Sequence, residues 1–98
     1  MAEIYYTAPS EEAFNEMKRA SIAVWETKGK EGGYAEEKVS RIKDIKNVQD
    51  NFMYMLAMFD TGNQNLVCQK LSDETREAVR VRLVDGGNPE FMINEILN

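Results

Sequence analysis

Phe52-Met53-Tyr54-Met55-Leu56-Ala57-Met58-Phe59 is the stretch that decides the fold of this chain. As a helix it would be apolar on every side rather than along one stripe. A helix of that kind must be surrounded by other protein. In a chain of 98 residues, the stretch is therefore expected either to run through the centre of the fold or to form a subunit interface.

The octapeptide closes a longer pattern over residues 35–60, in which apolar side chains recur at three- or four-residue steps. This pattern predicts one long helix with a charged first half and an apolar second half. An earlier amphipathic pattern begins after Ser10, a residue suited to capping a helix, and continues to about Thr27. A glycine-rich loop at residues 28–33 separates the two patterns. Together they predict a long central helical hairpin.

Two shorter helices are predicted after the hairpin. Gly62 is suited to a left-handed cap that ends the long helix, whereas the segment 63–71 is ambiguous. Ser72 predicts the start of a helix that continues to about Val84. Asn88-Pro89 predicts a terminal helix over residues 91–97, because proline at a helix start loses no hydrogen bond.

The expected fold class is all-α, with one domain spanning residues 1–98. Residues 3–7 are the one segment that could be extended, as an arm. A chain this short buries a limited fraction of its surface, and oligomerisation is a common remedy. We therefore expect a homo-oligomer.

Composition restricts the partners and the compartment. There are 17 acidic and 12 basic residues, with a formal net charge of -5, which argues against binding bulk nucleic acid, because that affinity comes mainly from phosphate neutralisation. The single cysteine, Cys68, cannot form an internal disulfide, so a reducing compartment such as the cytoplasm is expected. No apolar run approaches the roughly 18 residues of a membrane span, and no secretory signal is evident.

The residues predict no enzyme. The chain has no histidine, the usual acid-base group near neutral pH and a common zinc ligand. Its paired carboxylates, such as Glu11/Glu12, fall in the first turns of predicted helices, where the helix dipole explains them. Cys68 has no evident base beside it and is expected to be a buried structural thiol. No catalytic residue, metal site or cofactor is predicted.

Arginines on the third predicted helix have two interpretations. Arg76 and Arg80 share one face, four residues apart, so they could grip a phosphate or a carboxylate. Asp73 precedes Arg76 by three residues and could simply pair with it. The favoured interpretation is a solvated ion-pair face that also includes Arg82.

Tyr5 and Tyr6 lie just before the first predicted helix. A helix start is a natural anion site, because its main-chain N–H groups are free and the dipole is positive there. A tyrosine ring could stack on a nucleobase while the helix end, Lys18 or Arg19 meets a phosphate. The alternative is a hydrophobic staple, in which a residue ahead of the cap packs on the first turn. On these residues alone the staple is favoured.

Two short motifs in the first half of the chain resemble a known family. The first motif is Tyr6, Ser10, Met17 and Arg19, and the second is Val48-Gln49-Asp50-Asn51-Phe52-Met53 with Leu56. Phage anti-CBASS sponges are small helical proteins that sequester cyclic nucleotide signals, and they share a helical hairpin with anti-Thoeris sponges. Their first helix follows a tyrosine, and their second carries a glutamine and then an aromatic-methionine pair. The similarity covers about residues 5–59.

The resemblance implies a compact homo-oligomer, often a hexamer, that binds cyclic dinucleotides or trinucleotides without degrading them. Tyr6 would stack on a base, and Arg19 would be the nearest candidate for a phosphate contact. The chain departs from the family at Ser21, where the family has a ligand-binding lysine, and residues from Asn63 onward have no clear counterpart. The first departure affects the phosphate clamp, for which Arg76 or Arg80 could supply charge instead.

The leading hypothesis is a non-enzymatic phage anti-defence sponge that sequesters cyclic oligonucleotides in the host cytoplasm. Its predicted ligand-binding residues are Tyr6, Arg19, Lys18 and Tyr5. The alternative is a small acidic inhibitor or adaptor that binds a host protein through a Met-aromatic patch.

Overall fold

A computed structural model describes residues 3–28 and 34–98, apart from the side chains of Lys28 and Tyr34. Six helices and no strand are found in these residues. The helices are α1 (Glu11–Lys28), α2 (Tyr34–Lys43), α3 (Asn51–Ala57), α4 (Thr61–Cys68), α5 (Asp73–Asp85) and α6 (Glu90–Leu97). The all-α fold class is therefore confirmed, and most of the predicted glycine loop lies outside the described residues.

The prediction of one long helix over residues 35–60 is wrong. The chain leaves the helical conformation after α2, and α3 begins only at Asn51. The connecting segment, residues 44–50, ends at Asp50 in a left-handed conformation with φ 75°. Lys18 Nζ donates to the carbonyl oxygen of Ile45 (3.0 Å) and Asn47 Nδ2 donates to that of Pro9 (3.1 Å). These contacts hold the segment near the start of α1, and both α2 and α3 pack against α1.

The ambiguous segment after the hairpin is largely helical. Asp60 caps α4, and its Oδ1 accepts a hydrogen bond from the main-chain N–H of Asn63 (3.0 Å). Gly62 therefore lies in the first turn of α4, and its prediction as a left-handed C-terminal cap is wrong. The extended arm is wrong as well, because residues 3–6 form a turn.

The other helix boundaries follow the predicted local signals. The hydroxyl groups of Ser10 and Ser72 accept main-chain hydrogen bonds from Ala13 (3.2 Å) and Thr75 (3.3 Å), respectively. After α5, Gly87 adopts a left-handed φ of 84°. The N–H of Gly87 donates to Val84 and that of Asn88 to Leu83, which is the double hydrogen bond of a Schellman motif.

The apolar octapeptide contributes to the core of the single chain. Phe52, Met55 and Leu56 are 1%, 0% and 1% exposed, and Phe59 stacks on Trp25 with ring centroids 4.7 Å apart. This agrees with the first expectation for the stretch, the centre of the fold. Its exposed members are Tyr54, with 41% of its surface exposed, and Ala57.

One polar side chain is enclosed in this core. Ser21 on α1 is 0% exposed, and its hydroxyl has no hydrogen-bond partner within the described part of the chain. A buried hydroxyl without a partner destabilises the folded state.

Candidate functional site

The predicted tyrosine pair lies on a compact N-terminal turn, residues 3–9. Thr7 closes the turn, since both its main-chain N–H (3.0 Å) and its hydroxyl (2.7 Å) donate to the carbonyl oxygen of Ile4. Oδ2 of Asp85 accepts hydrogen bonds from the N–H groups of Ile4 (2.8 Å) and Tyr5 (3.0 Å). The last residue of α5 thus fixes the main chain that carries the two tyrosines.

Arg82 holds the same turn from one helical turn earlier. Its Nε donates to the Thr7 carbonyl oxygen (3.3 Å), and Nη2 donates to the Thr7 hydroxyl (2.9 Å). Nη1 donates to the carbonyl oxygen of Ala78 (3.0 Å), and the guanidinium carbon lies 5.2 Å from the centroid of the Phe52 ring. Arg82 is only 8% exposed, so the expectation that it belongs to a solvated face is wrong.

The electrostatic surroundings of Arg82 are unusual for a buried cation. Burial lowers the pKa of Arg82, although arginine keeps its charge in proteins. Within the described part of the chain, no ion pair joins Arg82 to a carboxylate. The charge is therefore stabilised by carbonyl oxygens, a hydroxyl and an aromatic face rather than by a carboxylate.

The two tyrosines contact each other edge to face. Their ring centroids are 5.0 Å apart and the planes meet at 78°. Tyr5 is half-buried against Gly86, where an added Cβ would lie only 2.8 Å from Cδ2 of the tyrosine. Burial, followed by the proximity of Tyr6 and Asp50, raises the pKa of Tyr5, so its phenol is neutral at physiological pH. Tyr6 is 50% exposed and leaves ring surface open to a partner.

A second segment fixes the turn from the opposite direction. The carbonyl oxygen of Tyr6 accepts a hydrogen bond from the N–H of Asp50 (3.2 Å), and that of Pro9 accepts one from Asn47. The turn thus lies between α5 and residues 44–50. This arrangement differs from a simple staple, because the turn is held by main-chain hydrogen bonds to distant segments.

Lys18 and Arg19 lie farther along α1 than the tyrosines. They are eight and nine residues beyond Ser10, which corresponds to about 12 Å and 14 Å of helix. Lys18 is engaged with Ile45 and lies 5.8 Å from the Phe14 ring centroid. Arg19 is exposed, and its charge helps to lower the pKa of Glu16. The structure thus brings Tyr5 and Tyr6 together, and in the described residues no direct contact joins them to Lys18 or Arg19.

A polar cleft of about 260 Å³ borders the same turn. Its lining comprises Pro9, Ser10, Glu12, Ala13, Glu16, Glu74, Thr75, Ala78 and Arg82. Glu16 accepts hydrogen bonds from the N–H (2.8 Å) and hydroxyl (3.0 Å) of Ser72 and from the Thr75 hydroxyl (2.8 Å). These bonds, the main-chain one first, lower the pKa of Glu16. With three carboxylates against one arginine, the polar cleft disfavours a phosphate.

The remaining arginines of α5 behave as the ion-pair interpretation predicts. Arg76 pairs with Asp73, and Arg80 binds Glu77 through two hydrogen bonds. Both pairs are three residues apart on one helix. Because these carboxylates already occupy the guanidinium groups, a phosphate would have to compete with them.

The described residues offer little reactive chemistry. Burial raises the pKa of Cys68 to about 12, so its thiol is protonated and a poor nucleophile. Within residues 3–28 and 34–98, no group of three or more acidic, histidine or cysteine side chains is placed to hold a metal ion. None of the helices in those ranges has both the length and the apolar character needed to cross a membrane.

Two of the side chains that build this site were not predicted from sequence. Asp85 and Arg82 are 80 and 75 residues away in the chain from Tyr5 and Thr7, the residues they bind. One signal was available, since an acid at the last position of a helix opposes the dipole and suggests a specific contact.

The chain gives no significant match to a protein-family model, a curated protein or a solved structure. The resemblance to anti-CBASS sponges therefore stays a prediction.

Proposed function

We propose that the protein binds cyclic oligonucleotides without cleaving them and acts as a phage anti-defence sponge in the host cytoplasm. The observation that carries this proposal is the half-exposed ring of Tyr6 on a turn fixed from two directions. A ring held in place before binding loses little conformational entropy when a base stacks on it. Base stacking on an aromatic side chain contributes about 1–3 kcal/mol per base.

The charge distribution near Tyr6 suggests that stacking is the main source of affinity. Arg19 is exposed on α1 and is the nearest predicted phosphate contact. Glu11 and Glu12 are also exposed at the start of α1, and they oppose an anion there. We therefore expect a weak dependence of affinity on salt, because few phosphates would be neutralised.

A sponge benefits from several identical sites, so we also propose a homo-oligomer. Apolar side chains are exposed at Leu66 (46%), Val84 (54%) and Phe91 (65%). These side chains are available for a contact between copies of the chain, and association is favoured where such side chains form a contiguous patch. Light scattering of the purified protein tests this part separately, and a monomer at micromolar concentration would contradict it.

Thermal unfolding against a panel of cyclic dinucleotides and trinucleotides tests the proposed function. A ligand at 100 times its dissociation constant adds about 2.7 kcal/mol, which corresponds to a rise in Tm of about 10 °C or more for a domain of this size. Tyr6→Ala should abolish the rise. Tyr54→Ala is the matched control, because Tyr54 is a comparably exposed tyrosine on α3. No rise with any ligand, or equal losses in both variants, would overturn the proposal.

The second candidate is an inhibitor or adaptor that binds a host protein. It is favoured by the exposure of Ile4 (44%), Tyr6 (50%) and Val48 (53%), which lie on two segments joined by the hydrogen bond from Asp50 to Tyr6. Affinity capture should then recover one stoichiometric partner, and Val48→Asp should release it. A nucleotide response that persists in Val48→Asp would favour the sponge instead.

A further inference from the structure

A second, apolar cleft lies where α3, α4, α5 and α6 meet beside the ring of Tyr5. Its volume is about 310 Å³, and its lining comprises Tyr5, Met53, Leu56, Ala57, Phe59, Asp60, Thr61, Gln64, Leu83, Asn88, Met92 and Ile96. The floor consists of core residues, including Leu56, Leu83 and Ile96, which are 1%, 5% and 2% exposed. Eight of its twelve lining side chains are apolar, whereas its exposed surface is about equally polar and apolar. Small-molecule sites combine apolar side chains with polar groups that fix the ligand's orientation, and they begin at about this volume.

Two side-chain amides in the lining of the apolar cleft, those of Gln64 and Asn88, each keep an oxygen that can accept a hydrogen bond. The amide nitrogen of Gln64 donates to the Leu56 carbonyl oxygen (3.1 Å), and that of Asn88 donates to the Leu83 carbonyl oxygen (3.0 Å). These bonds orient the two side-chain amides. Their oxygens accept no hydrogen bond from any described residue, and each can still accept one from a ligand.

The charge at the apolar cleft has one sign. Asp60 lines it, and its Oδ1 is occupied by the N–H and the side-chain amide of Asn63 (3.0 Å and 2.8 Å). Among the described residues, no lysine or arginine lines the apolar cleft. An anionic ligand would therefore meet a like charge, whereas a ligand with N–H donors would meet acceptors.

The ring of Tyr5 gives the site an aromatic wall. The ring packs against Gly86 and contacts the Tyr6 ring edge to face. These two contacts fix its orientation. A flat ligand can stack against such a wall at little entropic cost.

We infer that the apolar cleft binds a small, flat, amino-substituted heteroaromatic compound that is neutral or cationic. The apolar floor and Tyr5 accept the ring, and the oxygens of Gln64 and Asn88 accept the amino hydrogens. This inference does not rest on the proposed function, since the ligand contacts neither the exposed ring of Tyr6 nor a phosphate-binding group. A failure of one leaves the other standing.

Adenine is a suitable probe, and purine, which lacks only the amino group, is its matched control. The protein is labelled with ¹³C at its methionine methyl groups. Met53 and Met92 line the apolar cleft, whereas Met17 and Met55 are 0% exposed, do not line it and serve as internal references. Saturable shifts of the first two methyl signals are expected, with adenine binding roughly thirtyfold more tightly than purine, as two net hydrogen bonds imply.

Two alanine variants complete the test. Ala57→Leu places a larger side chain in the apolar cleft from an exposed position of α3 and should abolish the shifts. Ala78→Leu makes the same change in the polar cleft and should leave them unchanged. Absent shifts, equal affinities for adenine and purine, or shifts that survive Ala57→Leu would each overturn the inference.

Discussion

Replacing Asp85 with alanine should destabilise the protein, although the position of this acid suggests the opposite. Asp85 is the last residue of α5, where a negative charge opposes the helix dipole. From sequence alone, its removal would be expected to stabilise the helix. The structure reverses the expected sign, because the carboxylate accepts hydrogen bonds from Ile4 and Tyr5.

The magnitude follows from three contributions. Each hydrogen bond to the charged group is worth about 1.5 kcal/mol at a partly exposed site, so their loss costs about 3 kcal/mol. Relief of the unfavourable dipole interaction returns about 0.5 kcal/mol, and the higher helix propensity of alanine returns about as much. The net loss is about 2 kcal/mol, or roughly 10 °C in Tm for a domain of this size.

Urea and thermal denaturation of three variants measure this balance. Asp85→Ala should lose about 2 kcal/mol, and Asp85→Asn about half of that, because the amide oxygen still accepts hydrogen bonds. Glu95→Ala is the control, since Glu95 is an exposed acid in the last turn of α6 and its removal should be neutral or slightly stabilising. If Asp85→Ala were as stable as the wild type, the docking of the N-terminal turn on α5 would not contribute to stability as argued.

Three further changes test separate parts of the structure. Ser21→Ala should stabilise the protein by about 1 kcal/mol, because it removes a buried hydroxyl that has no partner among the described residues; a fall in urea midpoint would contradict this. Gly86→Ala should cost about 1–3 kcal/mol, since the new Cβ would overlap the Tyr5 ring, whereas Gly62→Ala, whose nearest neighbouring atom is 3.8 Å away, should not destabilise. Hydrogen bonds from Ser72 and Thr75 lower the pKa of Glu16, so its stabilisation is complete above the unfolded pKa of about 4.3 and is lost as pH falls through the lower folded value. Glu16→Gln should therefore differ most from the wild type near neutral pH and least near pH 3, and a constant difference across that range would refute the assignment.

The helix starts were predictable because their signals are local. The hydroxyl groups of Ser10 and Ser72 bond to N–H groups three residues away, so the residue type and its position are sufficient information. The break between α2 and α3 was not predictable in this way. Its apolar spacing continues through residues 44–50, and the contacts that hold that segment come from Lys18 and Pro9, 27 and 38 residues away.

In the candidate site, too, the local features were predictable and the contacts between distant residues were not. Sequence placed Tyr5 and Tyr6 ahead of the first helix, and the structure brings them into contact there. The sequence did not predict the contact of Lys18 with residues 44–50. It predicted Arg82 to belong to a solvated face, whereas the side chain is buried. The position of Arg82 between Val81 and Leu83 does not distinguish a buried guanidinium from an exposed one, because the Thr7 oxygens that receive it are far away in sequence.

The attachment of the N-terminal turn to α5 also affects when the turn can first become ordered. The turn is synthesised before the side chains that fix it, because Arg82 and Asp85 follow it by some 75–81 positions. At about 5–20 residues per second, the tyrosine pair waits several seconds for its support. During translation the tyrosine pair therefore lacks its contacts with α5 until Arg82 and Asp85 have been made.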